Sequence, residues 1–184
     1  MSELVLNEIV DRLCTLTLNR PTKLNALNLS LFKELSAHID ALSFDRVGCI
    51  LLKGAGRSFC AGHDLDDIAT GAETSAEAKL FETGLIERLA TLPVPVVAAV
   101  RGHCLTGGLE LALATDIIIA AEDAKFGDTH AKWDIVPIWG LSQRLPRRIG
   151  HARAYEMMFT SRFYSGAHAA STYAARYWPT TNDR

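Results

Sequence analysis

The residues best placed for chemistry lie between Arg101 and Asp116, in the run Arg-Gly-His-Cys-Leu-Thr-Gly-Gly-Leu-Glu-Leu-Ala-Leu-Ala-Thr-Asp. Gly102, Gly107 and Gly108 let the backbone turn tightly and let a ligand approach the main chain. The alanine- and leucine-rich stretch behind them predicts a helix, whose first N–H groups have no intrahelical partner and sit at the positive end of its dipole. Such a turn can hold developing negative charge. Glu110 lies one turn further, on the side of the Gly107 N–H. A carboxylate beside an oxyanion site is one reading of it; a residue that merely complements the helix dipole is the other.

A second stretch of the same character is Arg57-Ser58-Phe59-Cys60-Ala61-Gly62-His63-Asp64-Leu65. Each of the two stretches follows an apolar run. On neighbouring parallel strands, two such turns would aim two backbone N–H groups at one point, as a carbonyl oxygen becoming an enolate requires. His63 and Asp64 also fit a turn-and-cap pair, the commoner role for Asp at a helix start.

The elements that must hold these turns follow from the pattern of apolar residues. Leu4 to Ile9 and Leu13 to Leu18 suggest a hairpin. Asn25 to Asn28 leads into a helix striped by Leu31, Phe32, Leu35, Ile39 and Leu42. Val47 to Leu52 predicts a buried strand. Thr74-x-x-Glu77 offers a capping box for a helix striped by Ala78, Phe81, Leu85, Leu89 and Leu92. Pro93 and Pro95 end it, Pro95 to Val100 is the strand before the first turn discussed, and Asp116 to Ala120 is another. Alternation of strand and helix means an α/β fold with parallel pairing. Neither a G-x-G-x-x-G after the first strand nor a G-x-x-x-x-G-K-[ST] is present, which argues against a dinucleotide or P-loop site.

The 184 residues carry a net charge of −2 without long runs of either sign, so no nucleic-acid partner and no membrane surface is expected. Apolar runs fall short of the ~20 residues of a membrane span. Met-Ser-Glu-Leu has neither a basic start nor an apolar signal region, so a cytoplasmic location is expected. Cys14, Cys49, Cys60 and Cys104 are widely spaced and predict buried thiols, with no metal site.

Together the two turns resemble the enoyl-CoA hydratase/isomerase (crotonase) family. Its Phe-x-Ala-Gly-x-Asp-Leu pattern is met at Phe59 to Leu65, and its Gly-x-x-x-Gly-Gly-x-x-Glu-Leu-Ala pattern at Gly102 to Ala112, with the paired glycines one position later. Asn19-Arg20-Pro21, Leu24-Asn25-Ala26-Leu27, Asp116 to Ala121, Lys125-Phe126-Gly127, Pro137 with Gly140, and Gln143-Arg144-Leu145 also fit. The likeness covers about residues 4 to 168. It implies a crotonase-like spiral of ββα units binding an acyl-CoA thioester, a core over residues 1–164, and an atypical tail over 165–184 where the family has further helices. Its members form trimers or hexamers, so a homotrimer or hexamer is expected.

By position, the resemblance places the oxyanion donors at the Ala61 and Gly107 N–H groups. Leu24, Ala26, Leu27, Ala61, Gly62, His63, Asp64, Leu65 and Gly107 would line the CoA and acyl groups. Glu110 matches the first catalytic glutamate, and His130 stands where hydratases carry a second, either moving a proton itself or bonding to Asp128 or Asp134. The implied activity is that of a lyase of fatty acid metabolism, a 2-enoyl-CoA hydratase with coenzyme A as part of the substrate and no other cofactor. A methylmalonyl-CoA-type decarboxylase ranks second: the Ala-Gly-His-Asp run matches, but Ile138 stands near the position of its tyrosine. A catalytically silent acyl-CoA binder is the third reading.

Overall fold

A computed structural model describes residues 3–70, 75–171 and 175–178. The chain opens with an antiparallel hairpin, β1 (Val5–Val10) and β2 (Leu13–Leu18), as its alternating pattern predicts. Helix α1 (Leu29–Asp40) starts at Asn28, whose side chain accepts a hydrogen bond from the Leu31 N–H at 2.9 Å. This N-cap satisfies one of the helix's orphan donors. Leu31, Phe32, Leu35 and Ile39 form its buried face; Leu42 lies beyond the helix end and packs on the core from its rim. Next come β3 (Cys49–Gly54), α2 (Leu65–Thr70) and α3 (Ala76–Leu89).

The α3 N-cap is Ser75, whose hydroxyl accepts from the Ala78 N–H at 3.1 Å; Thr74 lies outside the described residues. The buried face of α3 differs from the expected stripe. Ala78, Leu85 and Leu89 are inside, but Phe81 is 37% exposed and Glu82 takes the inner position. The chain then forms β4 (Val96–Val100), β5 (His103–Leu105) and α4 (Gly107–Leu113), a complete ββα unit. After it come β6 (Ile117–Ala121), β7 (Lys125–Gly127), a 3-10 turn at His130–Trp133, α5 (Leu141–Ile149) and α6 (His151–Thr160).

The main sheet has the order β1-β2-β3-β4-β6 and a last strand, β9 (Arg176–Trp178), with every pair parallel except the opening hairpin. A smaller sheet joins β5 to β7 in parallel and β7 to β8 (Tyr164–Ser165) in antiparallel fashion. Helix α7 (Gly166–Ser171) follows β8. The expected division after residue 164 therefore falls inside β8, and β9 belongs to the main sheet, so the described part of the tail is continuous with the core. Residues 172–174 and 179–184 of that tail lie outside the described residues. Along the interior strands buried residues alternate with half-buried or exposed ones, so one face of the main sheet is fully buried and the other only in part.

Candidate active site

The register puts β3 beside β4, and this brings the two glycine turns together. Cys60 and Cys104 form an isolated bridge between them, with the Cys60 N–H donating to His103 O at 2.9 Å and the Leu105 N–H to Cys60 O at 3.1 Å. Leu27 bridges to His63 in the same way: its N–H donates to Gly62 O, and the Asp64 N–H donates to Leu27 O, both at 2.8 Å. The turns are thus stitched to each other and to the 24–27 segment by main-chain bonds.

Thr106 precedes α4 at φ 54°, ψ −115°, a conformation that L residues rarely adopt. Its N–H donates to Gly127 O at 2.9 Å, and its hydroxyl shares a 2.6 Å hydrogen bond with Thr129. Two anchors from the β7 side hold the strain, which is how such conformations persist near functional sites. The next residue needs to be glycine: a Cβ on Gly107 would stand 2.6 Å from Cζ3 of Trp139 and 3.5 Å from the His63 nitrogen.

Glu110 is 1% exposed, and its partners lie far along the chain. Oε1 accepts from the Trp139 N–H at 2.9 Å and the Leu141 N–H at 3.1 Å, at the start of α5. The helix dipole that serves this carboxylate is therefore that of α5, not of its own helix. Oε2 stands 3.7 Å from Nε2 of His130, while Nδ1 of His130 lies 2.5 Å from Oδ1 of Asp128. Burial pushes the Glu110 carboxyl above its ordinary value; the Leu141 N–H, His130 and the Trp139 N–H offset this only in part. Of the two partners foreseen for His130, the structure selects Asp128.

A pocket of about 400 Å³ opens among these groups, lined by His63, Gly107, Glu110 and His130 together with Glu82 and Trp139. Another cavity, of about 300 Å³ between α4 and α6, is lined by Leu109, Leu113, Phe126 and Met157 and holds none of the expected site residues.

Other sequence-derived assignments fare differently. The Ala61 N–H donates to Leu24 O at 3.0 Å, so it is committed within the fold and corrects the expectation of a free donor there. The amide that lies beside Gly107 is that of His63. Asp64 is buried and clamped by Arg20 at 2.8 Å and Lys23 at 3.1 Å, while its Oδ1 accepts from the Asp66 N–H. Burial would raise its carboxyl, but the Arg20 and Lys23 hydrogen bonds prevail and hold it below the ordinary value. Its side chain serves the turn, in agreement with the cap reading. Leu24, Ala26, Leu27 and Gly62 lie in the stitched segments and not on the pocket wall, whereas Leu65 is 46% exposed nearby in sequence.

Sequence reasoning missed Glu82 and Trp139. Only Glu82 left a signal, as a charged residue at helical spacing from Ala78, Leu85 and Leu89. Trp139 reaches the site by packing between Phe32 and His63, at ring-centroid distances of 5.0 and 5.6 Å.

The fold is thus one of parallel ββα layers around paired glycine turns, with a buried carboxylate beside one of them. Residues 8–172 match the enoyl-CoA hydratase/isomerase family, and the chain belongs to it. A protein of Arabidopsis thaliana named probable enoyl-CoA hydratase 1, peroxisomal, is 41% identical over 152 residues, which are 81% of this chain and 56% of that protein. The 1,2-epoxyphenylacetyl-CoA isomerase of Escherichia coli K12 is 39% identical over 160 residues, which are 84% of this chain and 61% of that protein. A crystal structure from Thermobifida fusca YX, in complex with acetoacetyl-CoA, superposes with a TM-score of 0.88 at 25% identity, covering 96% of this chain and 74% of that one. The chain spans 56–65% of the length of curated relatives such as these.

Proposed function

We propose that this chain hydrates a 2-enoyl-CoA thioester. The observation that carries the reading is the buried Glu110 carboxylate, held by the α5 amides beside the Gly107 turn and facing His130 across 3.7 Å. The thioester oxygen accepts from the N–H groups of Gly107 and His63. A water held by Glu110 Oε2 and His130 Nε2 gives a proton to Glu110 as its oxygen bonds to the β-carbon. The displaced electron pair becomes an enolate, stabilised by the two amides. The α-carbon then takes a proton from His130, whose ring Asp128 holds at Nδ1. The proton on Glu110 returns to His130 across the gap, and the balance closes without any cofactor beyond the CoA of the substrate.

A malonyl-type decarboxylase is the weaker reading, because Ile138 lines the pocket near the position where those enzymes carry a tyrosine. A cytoplasmic place accords with four free cysteines, and a homotrimer or hexamer with the family. The test is loss of crotonyl-CoA absorbance with the wild type and Glu110→Gln. A general base contributes ~10²–10⁴ in rate, so the variant should lose about that much. Equal rates would remove Glu110 from the chemistry. Binding of crotonyl-CoA by the wild type with no turnover would instead select the silent binder.

A further inference from the structure

Glu82 sits on the inner face of α3 in line with Ala78, Leu85 and Ile86; Lys79, also one turn away, is exposed and lines the same pocket. It is 2% exposed. Among the described residues its buried Oε1 has no hydrogen-bond partner; Nε2 of His63 stands 3.8 Å away, beyond hydrogen-bond reach. A carboxylate oxygen removed from water without a donor is costly, so buried ones are nearly always satisfied. This one faces the pocket that also holds Gly107 and Glu110. A thioester whose oxygen lies at Gly107 must carry its acyl chain through that same pocket.

We propose that Glu82 sets substrate specificity by accepting a hydrogen bond from a hydroxyl carried on the acyl chain, so that the preferred substrate is a hydroxylated acyl thioester. The proposal rests on the acyl-thioester reading above. A plain alkyl chain would leave the Glu82 oxygen unsatisfied. A carboxylated chain would place two negative groups side by side. A hydroxyl supplies the missing donor at no cost in charge, and hydrogen bonds to charged groups are the stronger kind.

The experiment is calorimetric binding of unreactive saturated thioesters to the full chain: 4-, 5- and 6-hydroxyacyl-CoAs, each against its unsubstituted partner of equal length. At least one hydroxylated member should bind about 10- to 100-fold more tightly than its partner. Glu82→Leu should abolish that preference while leaving alkyl-CoA binding equal or tighter. Glu82→Gln, which keeps an acceptor oxygen and the same shape, should retain part of it. Circular dichroism confirms that each variant is folded. Equal binding of every pair by the wild type overturns this proposal alone. A preference that survives in Glu82→Leu overturns it as well. Failure to bind any of the thioesters overturns it together with the reading beneath it.

Discussion

At the scale of single residues, Glu110 sets function against stability. Its carboxyl is raised above 4.5 chiefly by burial. Below pH 4.5 the group is protonated in both folded and unfolded chains and carries no ionisation penalty. As pH rises from there through the higher folded value, the native state holds on to a proton that the unfolded state releases, and stability falls. Glu110→Gln has no proton to lose, yet its side-chain oxygen can still accept from Trp139 and Leu141. Its melting temperature should therefore exceed the wild type's at pH 7, with the gain shrinking toward pH 4.5. A difference that stays constant across that range would mean that burial is not what perturbs Glu110. The same sign governs turnover: the ionised base is the active form, so kcat/KM should climb with pH through the raised value, and its acid limb should vanish in the variant. Gly107 makes the complementary case for shape. A methyl there meets the Trp139 ring at 2.6 Å, so Gly107→Ala should displace the indole that packs on His63 and lower turnover at unchanged secondary structure. Turnover equal to the wild type's would show that the tight approach has no consequence for the site.

At the scale of elements, the Glu110 carboxylate depends on where α5 begins. Gly140 is the N-cap of α5 at φ 102°, a left-handed conformation, and a Cβ there would run into the Arg144 guanidinium. That guanidinium bonds Trp139 O and Glu87, both at 2.7 Å. Gly140→Ala should thus move the very amides that hold Glu110 and cut kcat more than it raises KM, with far-ultraviolet circular dichroism unchanged. A change in KM alone would mean that the α5 start serves substrate binding only. These long-range contacts also mark how far the sequence could be followed. The hairpin, the α1 stripe and the strand preceding α4 were legible because each is fixed by local period and burial. The paired turns were legible because glycines flanked by apolar strands leave few alternatives. What escaped depends on pairs some thirty residues apart. Glu110 looked like a residue of its own helix dipole, yet its donors come from residues 139 and 141. Ala61 looked like a donor until its amide was found bonded to Leu24, a contact that depends on how the 24–27 segment crosses the second turn. Glu82 broke the apolar stripe of α3, and only the pocket beside it gives that break a meaning.

For the whole molecule, the arrangement leaves one face open. The segment after the 3-10 turn and the neighbouring α6 present large apolar side chains outward. Val136 is 77% and Phe159 74% exposed, with Trp133, Ile138, Tyr155 and Phe163 about half exposed. The turn and α6 pack against each other, so these residues lie on adjoining elements. Clustered apolar surface on this scale marks an association site far more often than an idle one. A second copy of the chain is the expected occupant, and the same loop carries Ile138 and Trp139 into the pocket beside Glu110. Association should therefore also steady the site. Light scattering at micromolar concentration should report an oligomer, and Val136→Asp combined with Phe159→Asp should shift it toward monomer. Because neither residue lies on a buried face, the variant should keep its circular dichroism spectrum while its turnover per chain falls at low protein concentration. A wild type that is monomeric throughout that range would refute assembly through this face. An oligomer untouched by the paired aspartates would place the contact elsewhere on the molecule.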